Sequence, residues 1–290
     1  YAASELDIIS RGVIKLAQQQ QNGYAYAVQL NLISTFENAG TLTVSSVGGE
    51  FAQAFAIVSG SRVVNSGTID LDRATGVLNT SEFVNEGSVW LRDSTFAKQV
   101  HTLINHGTIT QNGGDNGSIA AVGLSQLVNS GTIDVGGMAV SNTQTIENSG
   151  LIRSTGDLAI SAYASGVNLV NAAGGVIDGE GFGTAIRLQA ARIENAGVIR
   201  GDVDLAYMPW GWSSGSRYVS NGGILYGNLT FGSQDDVFLQ TTDVDGVTGA
   251  IDGGDGFDIF GHLFSQSGDV TLGKHRGINF ESEGIYAENE

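Results

Sequence analysis

The chain has 290 residues, no cysteine and a formal net charge of −17. The lack of cysteine excludes disulfides, thiolate metal sites and cysteine nucleophiles. The acidic charge argues against nucleic acid and anionic membranes as partners, because both attract clustered cations. Glycine accounts for 43 residues and proline for one, which excludes collagen and proline-rich linkers and favours many short turns. The chain begins at Tyr1 without a signal sequence, so we expect a mature fragment of a longer precursor.

A short phrase recurs along the chain: apolar, any, Asn, any, Gly, any, apolar. It reads FENAGTL from Phe36, VVNSGTI from Val63 and LINHGTI from Leu103, and a worn copy, YVSNGGIL, begins at Tyr218. The asparagines of the phrase are Asn38, Asn65, Asn85, Asn105, Asn129, Asn148, Asn171 and Asn195. Neighbouring asparagines lie roughly 19 to 27 residues apart, a step typical of solenoid repeats.

Within each repeat, short alternating segments are bounded by Gly, Ser or Asn, which indicates three strands and three turns per coil. We therefore predict an all-β fold: a single right-handed parallel β-helix of about ten coils. We expect Asn and Gly to occupy corners that need positive φ, and the amides to hydrogen-bond along the axis as a ladder. Apolar side chains such as Ile69, Ile109 and Ile133 should stack inside, while Thr68 and Thr108 should face outward.

A second phrase marks the C-terminal part of the chain. It appears at Gly201–Leu205, Gly227–Phe231 and Gly249–Gly253, and two copies lead into acidic turns. The sequence therefore predicts two regions: regular repeats over 1–200, and C-terminal coils over 201–290 that carry an aromatic insertion loop at 207–218.

Both sets of phrases resemble the passenger domains of bacterial autotransporters, the type V secretion system. The Asn-Ser-Gly-Thr-Ile copies carry the resemblance along the body, and the closing INFESEGIYAEN resembles the last coil before the membrane barrel. The resemblance implies a secreted protein at the bacterial cell surface, held by a C-terminal outer-membrane β-barrel of the same precursor. It leaves the activity open, because such scaffolds carry adhesins, enzymes and spacer stalks.

The aromatic insertion is the first candidate binding site. Exposed Trp and Tyr side chains stack on sugars or anchor protein interfaces, so we expect it to contact a glycan or a host surface protein. The alternative is that the loop folds back and covers apolar surface. Its candidate ligand-binding residues are Tyr207, Trp210, Trp212, Arg217 and Tyr218.

Two further motifs are weaker. Arg200, Gly201 and Asp202 form an RGD tripeptide, but the second repeat phrase already accounts for two of its three residues. The segment Gly253–Ile259 matches a calcium-binding nonapeptide, with Asp252, Asp255 and Asp258 as candidate ligands. Only one good copy is present, so we expect no cofactor, and calcium is the alternative that this motif leaves open.

A mixed polar face is the third candidate. Repeat alignment places Asp70, Asp134 and Asp178 at one position, and the same position holds Thr43, Trp90, Thr110, Arg153 and Arg200 in other coils. Carboxylates and arginines on one face of a β-helix suit binding or cleavage of polysaccharide. We predict a non-enzymatic surface adhesin or stalk, with a polysaccharide lyase or hydrolase as the alternative function.

Overall fold

The fold is described from a computed structural model covering 6–19, 23–30, 34–46, 52–58, 62–114, 117–163, 166–179, 181–206, 214–241, 246–264 and 277–287. All regular structure in these residues is β-strand, so the predicted all-β class is confirmed. The strands form three parallel sheets, which we name A, B and C.

Sheet A holds 13 strands: β1 (Leu6–Ser10), β4 (Ser34–Asn38), β7 (Arg62–Asn65), β10 (Glu82–Asn85), β13 (Thr102–Asn105), β16 (Gln126–Asn129), β19 (Thr145–Asn148), β22 (Asn168–Asn171), β25 (Arg192–Asn195), β28 (Arg217–Ser220), β31 (Val237–Gln240), β33 (Ile259–Phe264) and β34 (Ser282–Ala287). Sheet B holds 10 strands: β2 (Val13–Gln18), β5 (Thr41–Ser46), β8 (Thr68–Asp72), β11 (Ser88–Arg92), β14 (Thr108–Gln111), β17 (Thr132–Val135), β20 (Leu151–Ser154), β23 (Val176–Asp178), β26 (Val198–Arg200) and β29 (Ile224–Tyr226). Sheet C holds 11 strands: β3 (Gly23–Gln29), β6 (Ala52–Val58), β9 (Thr75–Leu78), β12 (Thr95–Lys98), β15 (Ile119–Val122), β18 (Val140–Ser141), β21 (Ile160–Ser161), β24 (Thr184–Arg187), β27 (Asp202–Asp204), β30 (Leu229–Thr230) and β32 (Ile251–Asp252).

The order of strands within the sheets advances by three at almost every step, as a parallel solenoid requires. From β2 to β29 the chain completes nine turns, since ten strands of sheet B are separated by nine steps. Sheet A runs without interruption past residue 200, from β25 to β28. The boundary between 1–200 and 201–290 therefore stays a prediction.

The interior is a continuous apolar stack. Ile69, Ile109 and Ile133 are fully buried at equivalent positions of sheet B, as the alternation predicted. Rings fill the wider places: Phe83 and Phe96 pack edge to face with centroids 5.1 Å apart. Because each coil contacts its neighbours alone, the stability of such a fold is nearly a sum of coil-to-coil terms.

The predicted asparagine ladder is present. From Asn38 to Asn195, each Nδ2 donates to the Oδ1 of the next asparagine at 2.8–2.9 Å. The amides also donate to backbone carbonyls; Asn105 Nδ2, for example, lies 3.2 Å from Thr132 O. The ladder thus satisfies buried polar groups that would otherwise cost free energy.

The reason expected for the asparagines was wrong. Within the described residues, several glycines have positive φ, and the non-glycine residues with positive φ include none of the ladder asparagines; they are Arg73, Asn79, Asp93, Gln99, Asn142, Ala190 and Asn279. The ladder residues instead end the strands of sheet A. They are buried there because their amides pair with one another, not because the backbone needs a residue that tolerates the left-handed region.

Candidate functional site

The outward face of sheet B carries a row of mixed polar, charged and aromatic side chains. Backbone register aligns one residue per coil, from Lys15, Thr43, Asp70, Trp90 and Thr110 to Asp134, Arg153, Asp178, Arg200 and Tyr226. We call this the sheet B row. The sequence alignment of Thr43 through Arg200 is confirmed, and the row extends by one residue at each end, to Lys15 and Tyr226.

Ion pairs link neighbouring coils along this row. Arg153 makes a two-pronged contact with Asp134, with Nε donating to Oδ1 at 2.9 Å and Nη2 donating to Oδ2. The hydrogen bond to Asp134 raises the pKa of Arg153. Arg200 Nη1 lies 3.9 Å from Asp178 Oδ2. Each pair adds little stability, because the side chains are partly solvated, but together the pairs make this stretch of the face locally neutral.

Two carboxylates of the row lie in ion pairs rather than facing one another across a cleft. Glycosidases commonly need two carboxyl groups that face the scissile bond from opposite sides. Here Asp134 and Asp178 are each engaged by an arginine of the next coil. Hydroxyl, carboxylate and guanidinium groups on one face of a sheet offer donors and acceptors to a hydroxylated ligand.

The RGD tripeptide is built into the body of the solenoid. Arg200 ends β26, Gly201 forms the corner with φ +104°, and Asp202 begins β27. Asp202 Oδ1 accepts hydrogen bonds from Asn228 N at 2.8 Å and Asn228 Nδ2 at 3.2 Å. The Arg and Asp side chains therefore contact neighbouring coils, and adhesion through this tripeptide stays a prediction.

The aromatic insertion lies largely outside the described residues. Tyr207, Trp210 and Trp212 fall there, so their role as binding residues stays a prediction. Arg217 begins β28 with a partly exposed side chain. Tyr218 corrects the expectation of an exposed ring: its side chain is fully buried and stacks on Phe238 with centroids 6.0 Å apart. The worn repeat that begins at Tyr218 makes this residue the inward apolar position of its coil, which explains its burial.

The structure does not gather the three aspartates of the nonapeptide into one site. Asp252 Oδ1 accepts hydrogen bonds from Gly254 N at 3.1 Å and Asn279 Nδ2 at 2.8 Å. Asp258 is buried, and its Oδ1 accepts from Asp236 N at 2.7 Å. Across the described ranges, no group of three or more His, Cys, Asp or Glu side chains has an arrangement that fits a metal ion.

Sequence reasoning missed that Asp236 and Asp258 are buried, one coil apart, in a column beside sheet A. Asp236 accepts hydrogen bonds from Ser216 N and Gly232 N, and one coil further on Asp258 N donates to Glu281 Oε2 at 2.8 Å. Burial raises the pKa of Asp236 to about 6, against the opposing effect of its two backbone donors. Burial also raises the pKa of Asp258. The spacing of Asp236 and Asp258, one coil apart before an apolar strand, was the signal available in the sequence.

This column predicts a pH dependence of stability. The pKa of Asp236 is higher in the folded chain than in an unfolded chain, so the native state binds more protons in this range. The free energy of unfolding should therefore rise as the pH is lowered from about 7.5 to 5, and it should fall again when the pH is raised back to about 7.5. Thermal unfolding across this pH range measures the effect. The Asp236→Asn variant should show a smaller change of stability with pH. Thr110→Ala, on the outward face of sheet B, removes no titratable group and is the control that should leave the profile unchanged. An equally steep profile in Asp236→Asn contradicts the assignment.

The asparagine ladder ends with unpaired groups at Ser220. Ser220 lies in register with Asn195, and Asn195 Nδ2, Tyr218 Oη and Ser220 Oγ are all buried with no hydrogen-bond partner among the described residues. Gly246 packs directly against Ser220 Oγ, as Gly223 packs against Asn195 Nδ2. The corner at Ser220 thus has the same glycine neighbour as the ladder positions.

We expect Ser220→Asn to extend the ladder by one rung. Its amide oxygen would accept from Asn195 Nδ2, so the free energy of unfolding should increase by about 1 kcal/mol, the net worth of a buried hydrogen bond. Urea unfolding measures the change. Ser220→Ala is the control and should change stability little, because the serine hydroxyl makes no hydrogen bond in the part of the chain that the structure describes. A loss of stability in Ser220→Asn would show that the corner has no room for the amide.

One family model matches the chain: a model described as the BigA third pectate lyase-like domain matches residues 1–226. No curated protein matches the chain, and no solved structure does. No helix able to cross a membrane occurs in the part of the chain that the structure describes.

Proposed function

The chain belongs to the family of BigA third pectate lyase-like domains, and on that premise we propose that it is a passenger-type segment of a bacterial surface protein that works without catalysis, as an adhesin or a stalk. The family match supports surface association. The resemblance of the repeats to autotransporter passengers supports the finer proposal of type V secretion, with an outer-membrane β-barrel of the same precursor as tether.

The observation that carries the non-enzymatic role is the pairing on the sheet B row. Asp134 and Asp178 both lie against arginines of the next coil. Both carboxylate oxygens of Asp134 accept hydrogen bonds from Arg153, and Asp178 lies against Arg200. Neither carboxyl group can therefore deliver a proton to a leaving group without giving up its arginine. The face is therefore better suited to holding a ligand than to protonating a leaving group.

A rigid rod suits this role. The ladder and the continuous sheets fix each coil on the next, and at ~4.8 Å per coil the nine turns span on the order of 43 Å. Many copies on one cell surface would gain avidity from weak single sites. We place the contacts with glycans or host proteins chiefly on the aromatic insertion at 207–218.

The alternative is a polysaccharide lyase or hydrolase, which the words "pectate lyase-like" keep open. A panel of acidic and neutral polysaccharides separates the two functions. We expect no new reducing ends and no unsaturated products from any member of the panel. Turnover that persists in the purified chain and disappears in Asp134→Asn would falsify the non-enzymatic proposal, and the alternative would replace it.

The aromatic insertion has a test of its own. The intact chain and a Trp210→Ala, Trp212→Ala double variant are compared on a glycan array and on immobilised host surface proteins. Loss of binding in the double variant, with the β signal in circular dichroism unchanged, supports an adhesin with its site on the insertion. Equal binding by both chains removes the insertion from the proposal, and no binding by either favours a stalk.

A further inference from the structure

Two residues of the sheet B row have exposed aromatic side chains. Trp90 is 43% exposed and Tyr226 is 49% exposed, although both lie in regular strands of the solenoid. The row members between them, from Thr110 to Arg200, are only partly exposed. Neither ring makes an aromatic contact among the described residues. Large apolar rings exposed to water on the outward face of a sheet have an unfavourable hydration that a ligand can relieve.

The rings are aligned along the solenoid axis. Six coil steps separate Trp90 from Tyr226 through the register of sheet B. At ~4.8 Å per step, the two rings lie about 29 Å apart. A compact small molecule cannot contact both, whereas an extended polymer laid parallel to the axis can.

The surface between the rings supplies hydrogen-bonding groups without net charge. The opposite charges cancel within the Asp134–Arg153 pair and within the Asp178–Arg200 pair, and Thr110 adds a hydroxyl group. A parallel outward row adds the hydroxyls of Thr108 and Thr132. A carboxylate has about four lone-pair sites and a guanidinium has five N–H donors. The Asp134–Arg153 contact uses two of each, which leaves that pair able to hydrogen-bond to a ligand as well.

Charge selects the class of polymer. The chain carries −17 overall, and Asp70 is the neighbour of Trp90 on the preceding coil. A polyanion would be repelled by both, and nucleic acid is excluded on the same ground. A linear uncharged polysaccharide meets every condition: it is extended, rich in hydroxyl groups, and has apolar ring faces that pack on Trp and Tyr.

We infer that the sheet B row is a binding track for a linear, uncharged polysaccharide, with one sugar ring stacked on Trp90 and another on Tyr226. The inference rests on the proposed role in surface binding and names the ligand class for a site other than the aromatic insertion. The ion pairs between the rings hold hydroxyl groups of the intervening sugars.

The experiment uses an array of linear neutral glucans, mannans, xylans and galactans of graded length, with polygalacturonate as the acidic comparison. The intact chain is compared with Trp90→Ala, Tyr226→Ala and the double variant. Phe182→Ala is the matched control, because Phe182 is also an exposed aromatic residue, 50% exposed, and lies off the row. Thermal midpoints and circular dichroism check that each variant is folded.

We expect a neutral polymer to lose about tenfold in affinity in each single variant, roughly the effect of one aromatic contact. Oligomers too short to span the rings should respond to one substitution or the other without coupling between them. For the long polymer, loss of one ring should reduce the effect of removing the second, since linked contacts reinforce each other. Phe182→Ala should bind like the intact chain.

Several results overturn the track. Binding of neutral polymers that is unchanged in the double variant but lost in the Trp210→Ala, Trp212→Ala chain leaves the adhesin proposal standing and removes the track. Preference for polygalacturonate also removes it. If the chain binds none of the neutral polymers, the track is also overturned, and the stalk is the form of the proposed function that is left. If the chain cleaves a polysaccharide, the proposed function itself is overturned.

Discussion

Replacing Gly131 by alanine is expected to destabilise the solenoid by about 3 kcal/mol, at the upper end of what overpacking usually costs. A Cβ placed on Gly131 lies 2.1 Å from the carbonyl oxygen of Gly107, one coil away, and 2.7 Å from the carbonyl carbon of His106. Both atoms belong to the backbone. That backbone is fixed, since Gly107 O accepts the hydrogen bond of Thr132 N at 2.9 Å, so relief requires the two coils to separate.

Urea unfolding of Gly131→Ala measures the loss, with Gly117→Ala as the matched control. The nearest heavy atom to a Cβ on Gly117 is Asp93 Oδ1 at 3.8 Å, and Gly117 has no positive φ. The control should therefore stay within about 0.5 kcal/mol of the original chain. Equal stability of the two variants would show that the coils can move apart at this corner without breaking their hydrogen bonds.

The same close approach recurs in successive coils and explains the glycine of the repeat phrase. A Cβ on Gly67, Gly87 or Gly107 would also lie 2.1 Å from a carbonyl oxygen of the preceding coil. The sequence displayed this glycine clearly, but conformational freedom was the wrong reason for it. Contact between coils is the cause, and a contact with another coil is not visible in the sequence of one repeat.

The parts of the fold that repeat were predictable. Strand alternation, the inward stack of Ile69, Ile109 and Ile133, and the alignment of Asp134 with Arg153 all follow from one register carried down the chain. Parallel strands without a shift in register preserve such an alignment. Repeat spacing therefore predicted the neighbours on the candidate face residue by residue.

Features that depend on a departure from the repeat were harder to predict. Tyr218 was included in the insertion loop at 207–218 as a binding residue, although a worn repeat also begins there; its place in that repeat puts the ring inside. Asp236 was read as part of an acidic turn and Asp258 as a candidate calcium ligand. Both are buried, and each accepts a backbone hydrogen bond from the neighbouring coil, Asp236 from Ser216 N and Asp258 from Asp236 N. Their burial depends on the residues stacked above and below, which a single coil does not reveal.

Replacing Asn105, in the middle of the ladder, by alanine is expected to cost between about 2 and 4 kcal/mol. Asn105 Nδ2 donates to Asn129 Oδ1 at 2.8 Å, and Asn105 Oδ1 accepts from Asn85 Nδ2 at 2.8 Å. The substitution breaks both bonds and leaves two buried partners short of one hydrogen bond each. An orphaned buried polar group costs about 1–3 kcal/mol, and the small cavity adds to this.

The position along the ladder supplies the sharper test. Asn38 begins the ladder: its Nδ2 donates to Asn65 Oδ1, but its own Oδ1 has no partner in the described structure. Asn38→Ala thus breaks one ladder bond where Asn105→Ala breaks two, so its loss in urea unfolding should be about half as large. Ser130→Ala, an exposed position beside the ladder, should cost less than about 0.5 kcal/mol. Equal losses at Asn38 and Asn105 would mean that each amide stabilises only the corner of its own coil. A twofold difference would identify the hydrogen bonds between coils as the source of the stability.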